Sequence, residues 1–284
     1  MAAVSRGETV PEHLVLFDFD GTLTLPREAI DSAALKALYK LWEACSTGIV
    51  TGSTIEHVEE QLGSYLKDPK YTEMWEDMLF LPCNGTQQWG WEADVQEFRL
   101  IRGANMIDKL GEYNYRRLIS YVLELQCTLI RRNESVPLTG EFIQYRDSMV
   151  NWCPIGRAAG TAYRKQFKEL DAKHNIRTQY LRDLNAWLAK REIEVTCARG
   201  GNTSFDIYPT GWNKSYVLDH LDGGDYDIWF VGDRCTGDGN DKALYDVLPE
   251  GRRWETTGPK NTVNIILKEI LPRVENNETT SFDY

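Results

Sequence analysis

Residues 14–24 read LVLFDFDGTLT, four apolar residues that run straight into two acids, a glycine and two threonines. A short apolar run bounded by turn residues reads as a strand buried on both faces. Asp18 and Asp20 then lie at its C-terminal edge, where Gly21 and Thr22 turn the chain. In open α/β sheets ligands bind in the crevice outside the carboxyl ends of the strands. A second such edge comes late in the chain, where DIWFVGD at 227–233 ends on Asp233 and the glycine-rich loop behind it carries Asp238 and Asp241. Carboxylates gathered in one place repel one another unless a cation sits among them. An all-oxygen ligand set suits a hard ion such as Mg²⁺, which commonly carries phosphate oxygens on its free sites. An aspartate can attack phosphorus to give an aspartyl-phosphate, and a second carboxylate can protonate the leaving oxygen. Thr22 and the neighbouring backbone N–H groups are candidates to hold the phosphoryl oxygens, and Lys214 is a candidate counter-cation.

Outward from this strand the pattern is strand and helix in alternation. Ile30, Ala33, Ala34, Ala37, Leu38 and Leu41 recur at helical spacing, TGIVTGST (47–54) reads as a strand running into a turn, and Ile55, Val58 and Leu62 share a helix face. MLFLPCNGT is another short apolar run, stopped by Pro82. This alternation predicts an α/β fold with a parallel sheet and covering helices. The middle differs. A helix at 113–126, two antiparallel strands within 140–156, one or two helices at 162–191 and a strand pair at 193–209 have α+β character. After Gly211 the first pattern resumes, with a helix at 213–221, the strand at 227–233 and helices at 240–247 and 259–271. The expected organisation is a discontinuous core, 1–104 and 210–284, interrupted by an inserted α+β cap at 105–209.

The chain has 284 residues, 32 Lys plus Arg against 43 Asp plus Glu and a net charge of −11, which argues against a nucleic-acid binder. No run approaches the roughly 20 apolar residues of a membrane span. MAAVSRGETVPEH lacks the apolar core of a secretory signal, and the six cysteines form no C-x-x-C pair, so reduced thiols and a cytoplasmic location are expected. The tail NNETTSFDY is polar and is expected to be loose, the N-x-S/T triplets (one at Asn277) are read as chance, and the four histidines show no metal-ligand spacing.

The Asp-x-Asp-Gly-Thr run, the Thr/Ser turn, the lysine and the late Gly-Asp loop together resemble the haloacid dehalogenase superfamily. FDFDGTLTLPREAI, EFIQYRDSMVNWCPIGR, GGNTSFDIYPTGWNKSYVLDHL, VGDRCTGDGND and TTGPKNT, in that order, resemble the eukaryotic-type phosphomannomutases. The resemblance implies a Rossmann-like parallel-sheet core with a cap. It implies a mutase interconverting mannose 6-phosphate and mannose 1-phosphate through an aspartyl-phosphate, with Mg²⁺, a hexose 1,6-bisphosphate activator and a homodimer formed through the cap. Carried over by position, Asp18 is the nucleophile and Asp20 the general acid/base. Asp18, Asp20, Asp233, Asn240 and Asp241 surround the metal. Thr22, Ser53 and Lys214 match the phosphoryl site, and Thr51 and Gly52, beside Ser53, are expected to bind substrate. Arg27 is a core arginine near the substrate, Arg146, Arg157 and Arg164 from the cap clamp the second phosphate, and Ser204 and Asp206 face the sugar. Arginine forks match phosphate bidentately, which fits a phosphorylated substrate to an acidic chain. Two other readings share the acid-bearing strand ends: a sugar-phosphate phosphatase, suggested by the Thr51 hydroxyl, and a non-catalytic phospho-acceptor or sugar-phosphate binding module.

Overall fold

A computed structural model describes residues 12–221 and 226–276. The N-terminal stretch through residue 11 and the polar tail from Asn277 onward lie outside the described residues. Seven strands form one sheet in the order β11-β10-β1-β2-β3-β4-β5. β1 (Glu12–Phe17), β2 (Ser46–Val50), β3 (Leu79–Leu81), β10 (Tyr226–Gly232) and β11 (Arg253–Glu255) are parallel. β4 (Gln87–Glu92) and β5 (Glu97–Gly103) extend one edge as an antiparallel hairpin. The sequence reading left this hairpin and β11 unassigned. The physical reason is plain for β5, which is half-buried or exposed throughout and so lacks a buried alternating face.

The buried strands sort their side chains by parity, because successive residues of a strand point to opposite faces. Val15, Phe17, Ile49, Phe80 and Val231 join one apolar cluster, while Leu14, Leu16, Val50, Leu81 and Phe230 join another on the opposite face. Helix Ser32–Trp42 packs Ala34, Leu35, Ala37, Leu38 and Leu41 against the first, and its N-terminus is capped by Asp31, which accepts from the N–H groups of Ala33 and Ala34. The expected strands and helices of this region are present. The alternating parallel core with helices on both faces is the α/β parallel-sheet architecture that the sequence led us to expect.

A second sheet, ordered β6-β7-β9-β8, is antiparallel: β6 (Ile143–Tyr145), β7 (Val150–Trp152), β8 (Val195–Gly200) and β9 (Ser204–Pro209). Val150, Trp152, Phe205 and Ile207 pack on its helical side under helices Glu112–Arg132, Thr161–His174 and Ile176–Lys190. The last two are separate helices because Asn175 breaks the chain in a left-handed conformation, φ 52°. The opposite parity, Asn151, Ser204 and Asp206, puts polar side chains on the other face of the sheet. All six cysteines are free. No helix of the described residues is long and apolar enough to cross a membrane.

Candidate active site

β1 and β10 are hydrogen-bonded neighbours, with Phe17 opposite Val231. Asp18 follows one and Asp233 the other, so parallel pairing alone brings two acids from the ends of the chain to one edge. The Asp18 N–H still donates to the Val231 carbonyl, at 2.9 Å. Gly21, at φ +95°, closes the turn, and a Cβ there would collide with the Asp233 carboxylate. The first motif and the late loop are therefore packed into each other, and only glycine fits between them.

Oxygen atoms of Asp18, Asp233 and Asp241 lie within 4.8 Å of one another. Lys214, fully buried, donates its ammonium to Asp18 Oδ1 and Asp241 Oδ1. The other Asp241 oxygen accepts from the N–H groups of Asp233 (3.1 Å) and Arg234 (3.0 Å). Asp241 thus braces the loop and the lysine with both oxygens. Burial, then the charge of Asp241, holds the Asp18 carboxyl well above its usual range against the pull of Lys214. The same two causes push Asp233 up to about 6. Burial by itself would lower Lys214, but Asp18 and Asp241 outweigh it and keep the ammonium above its ordinary value.

The donor set fits a hard cation. Asp233 Oδ1 and Asn240 Oδ1 are both buried without a hydrogen-bond partner, and all the groups offered are oxygens. Asp20 was expected in this set, but its carboxylate is not part of the cluster. It is turned to helix Ile55–Leu62, where His57 Nε2 stands 3.1 Å from Oδ2 and Gln61 Nε2 donates to Oδ1 at 3.1 Å. The Arg27 N–H adds a bond of 3.0 Å. Burial would raise this carboxyl; His57, the Arg27 N–H and Gln61 together outweigh it and hold Asp20 below the usual range. Asp238 was expected to add charge near the ion. It too lies outside the cluster, with its side chain 74% exposed and Arg199 at 3.9 Å.

The remaining expected residues gather around this centre. Thr22 is buried with its hydroxyl unpartnered. Ser53 Oγ is 3.4 Å from Asp20 Oδ2, and the Thr51 hydroxyl accepts from the Ser53 N–H at 3.1 Å. Thr51 therefore braces its own turn. The Gly52 carbonyl accepts from Arg146 Nη1 at 2.9 Å, a direct tie between the two sheets' loops. Arg146, Arg157, Arg164 and Arg27 crowd one region: burial, then Arg146 and Arg27, pull Arg157 down to about 10. Arg164 is lowered by burial and then by Arg27. Guanidiniums lowered in this way are still charged at neutral pH, and the group forms a basin for an anion. Asp206 is buried and accepts from Asn151 at 2.7 Å, while the Ser204 hydroxyl donates to the Gly200 carbonyl at 2.8 Å.

Sequence reasoning passed over His57, Gln61 and Asn151. His57 and Gln61 stand one helical turn apart on one face, a spacing that was legible, but nothing local showed that this face looks at Asp20. A further residue, Asn84, sits buried at φ 63° with its Oδ1 3.3 Å from where a Gly52 Cβ would stand.

An acid cluster at the carboxyl edge of a parallel sheet, beside a buried lysine, is an arrangement suited to phosphoryl transfer. The family model described as eukaryotic phosphomannomutase matches residues 34–273. The chain is 34% identical over 275 residues to the phosphomannomutase of Drosophila melanogaster, covering 95% of this chain and 98% of that one. It is 35% identical over 271 residues to phosphomannomutase 1 of Homo sapiens, covering 95% of each. Among solved structures it resembles an N-terminally truncated IMP-nucleotidase of Plasmodium falciparum, with a TM-score of 0.62 at 13% identity over 91% of this chain and 71% of that chain, a likeness of fold. The chain belongs to the eukaryotic phosphomannomutase family.

The raised carboxyls set a pH dependence. An acid whose folded-state value exceeds its unfolded one keeps its proton longer in the folded protein, so the stability it contributes is present at low pH and is lost as pH rises through the folded value. With Asp233 at about 6 and Asp18 raised as well, chelator-treated protein should melt at a lower temperature near neutrality than near pH 5. Asp20, which is lowered, gives its contribution above its unfolded value and is flat across this window. Added Mg²⁺ should abolish the decline by taking the proton's place. A melting temperature in chelator that climbs from about pH 5 to about pH 7 would refute this assignment.

Proposed function

We propose that this chain interconverts mannose 6-phosphate and mannose 1-phosphate. The observation that carries the reading is the meeting of Asp18, Asp233 and Asp241 at Lys214, opposite a basin of arginines, in a member of this family. Phosphorylated at the start of the cycle, Asp18 gives its phosphoryl group to the free hydroxyl of the bound sugar phosphate. The resulting hexose bisphosphate turns over in the site and returns its other phosphoryl group to Asp18. Asp20 exchanges the proton with the sugar hydroxyl at each transfer, steadied by His57 and Gln61. Thr22, Ser53 and the turn N–H groups receive the phosphoryl oxygens, and Lys214 offsets their charge. Arg27, Arg146, Arg157 and Arg164 clamp the phosphate that is not reacting, and Asp206 and Ser204 face the sugar. A divalent ion at this site, held by oxygens of Asp18, Asp233 and Asn240, would supply Lewis-acid polarisation of the transferring group.

We take the ion to be Mg²⁺ and the activator to be a hexose 1,6-bisphosphate. Residues 105–209 act as a cap that closes on the core 1–104 and 210–284 and keeps water from the aspartyl-phosphate. The bond from Arg146 to Gly52 supports that contact. A homodimer through the cap is supported by a part-exposed aromatic pair, where half-buried Tyr121 stacks on half-buried Trp187 with ring centroids 4.3 Å apart and Tyr113 of the same helix is exposed. The expected setting is the cytoplasm, in the supply of GDP-mannose.

The test is to mix the protein with mannose 1-phosphate, a hexose 1,6-bisphosphate and Mg²⁺, following mannose 6-phosphate and inorganic phosphate in parallel. Mannose 6-phosphate should form with little phosphate release. Release of phosphate alone would replace this reading with the phosphatase one, for which the Thr51 hydroxyl, engaged by the Ser53 N–H, gives no present support.

A further inference from the structure

A row of facing residues crosses the second sheet: Gln144 is opposite Asn151, and Asn151 is opposite Asp206. Each amide of the row holds an arginine. Gln144 Oε1 accepts from Arg146 Nε at 2.9 Å, and Asn151 Oδ1 accepts from Arg157 Nη1 at 3.0 Å. Asn151 alone also reaches the next strand, where its Nδ2 donates to Asp206 Oδ1 at 2.7 Å and to the Phe205 carbonyl at 3.3 Å. The side chain is 2% exposed.

This pattern fixes the amide in one orientation. Turned over, its NH₂ would face a guanidinium and its oxygen a carboxylate, and both contacts would repel. With Oδ1 of Asp206 taken by Asn151, it is Oδ2 that looks toward the core, 3.7 Å from where a Cβ of Gly52 would stand. The cradle is tight on the other side as well, because a Cβ at Gly200 would lie 2.7 Å from both carboxylate oxygens. Asp206 therefore cannot turn to choose another partner without displacing Asn151, and Asn151 cannot move without releasing Arg157.

We infer that Asn151 is a positioning residue that sets two recognition groups at once, aiming Arg157 at the phosphate that is not reacting and Asp206 Oδ2 at a hydroxyl of the hexose. The inference rests on the proposed function, which makes those two groups the substrate's contacts. A charged hydrogen bond lost at a buried site weakens an interaction roughly tenfold or more. Asn151 acts on binding and not on the reacting atoms, so its removal shows in KM.

The experiment uses the full chain with Mg²⁺ and the bisphosphate. Asn151→Ala should raise KM for mannose 1-phosphate roughly tenfold while kcat stays within about threefold. Combined with both Arg157→Ala and Asp206→Ala it should add little to their joint effect, because Asn151 acts through those two groups. Should the alanine protein melt below the assay temperature, Asn151→Ser is read in its place and must show the same rise in KM. An unchanged KM, with only the melting temperature lowered, would overturn the inference, as would an effect of Asn151→Ala that persists in full when Arg157→Ala and Asp206→Ala are both present. If Arg157→Ala and Asp206→Ala themselves leave KM unchanged, the proposed substrate site fails and this inference falls with it. If those two raise KM and Asn151→Ala does not, the inference alone fails.

Discussion

Asp18→Asn protein is expected to lose turnover by roughly four orders of magnitude or more while folding normally. The amide keeps the shape of the carboxylate, so the site remains filled, but its oxygen is a poor nucleophile and forms no aspartyl-phosphate. Among the described residues, no other nearby carboxylate is placed to take over. Asp241 is engaged by Lys214 and by two loop N–H groups, Asp20 is turned to His57 and Gln61, and Asp233 belongs to the facing strand. Stability should not suffer. Asp18 is held above its usual range by burial and by Asp241, so the native site already strains against its charge, and Lys214 retains Asp241 as partner. The melting temperature of metal-free Asp18→Asn protein should match or exceed that of the parent. Isomerisation of mannose 1-phosphate and thermal melting check the two halves separately. A variant retaining a tenth of the parental rate would remove Asp18 from its role and favour the binding-module reading.

The acids of this site were legible because each follows an apolar run too short and too uniform to be anything but a buried strand. Local pattern could not show that β1 and β10, over two hundred positions apart, are partners in the sheet. Only that pairing, and the absence of a side chain at Gly21, makes Asp18 and Asp233 neighbours. Asp241 was legible as an acid near the ion, yet its oxygens hold Lys214 and the loop, a distinction that depends on hydrogen bonds and not on residue type. Asp20 was placed around the metal by the resemblance, but a matched position does not say which way a side chain leaves its turn. The edge strand of the hairpin at 87–103 escaped because β5 is half-buried or exposed throughout. His57, Gln61 and Asn151 escaped for the complementary reason. Uncharged polar residues at helix and strand positions look like surface, and tertiary packing alone reveals what they hold.

Lys214→Met protein should be both unstable and slow. Methionine matches the length of the lysine stem, and the native side chain is fully buried, so the substitution removes the charge with little change of volume. It leaves Asp18 and Asp241 facing each other without their counter-ion. Removing one partner of a buried ion pair costs roughly 3–5 kcal/mol, because the charge left behind has no water to turn to. Asp241 also orders the loop that carries Asp233, through the N–H groups of Asp233 and Arg234, so misplacing it disturbs the ion's ligands as well as the phosphoryl site. Loss of a preorganised cation at a transferring phosphoryl group adds a fall in kcat of roughly 100- to 1,000-fold. The pH response separates this account from simple loss of packing. The stranded acids can relieve their repulsion by keeping a proton, so the deficit in melting temperature relative to the parent should shrink toward pH 5 and widen toward neutrality. A divalent ion should narrow it at every pH by restoring positive charge between the carboxylates. A deficit that is the same across this range and indifferent to Mg²⁺ would mean that Lys214 is held by its stem and not by its charge.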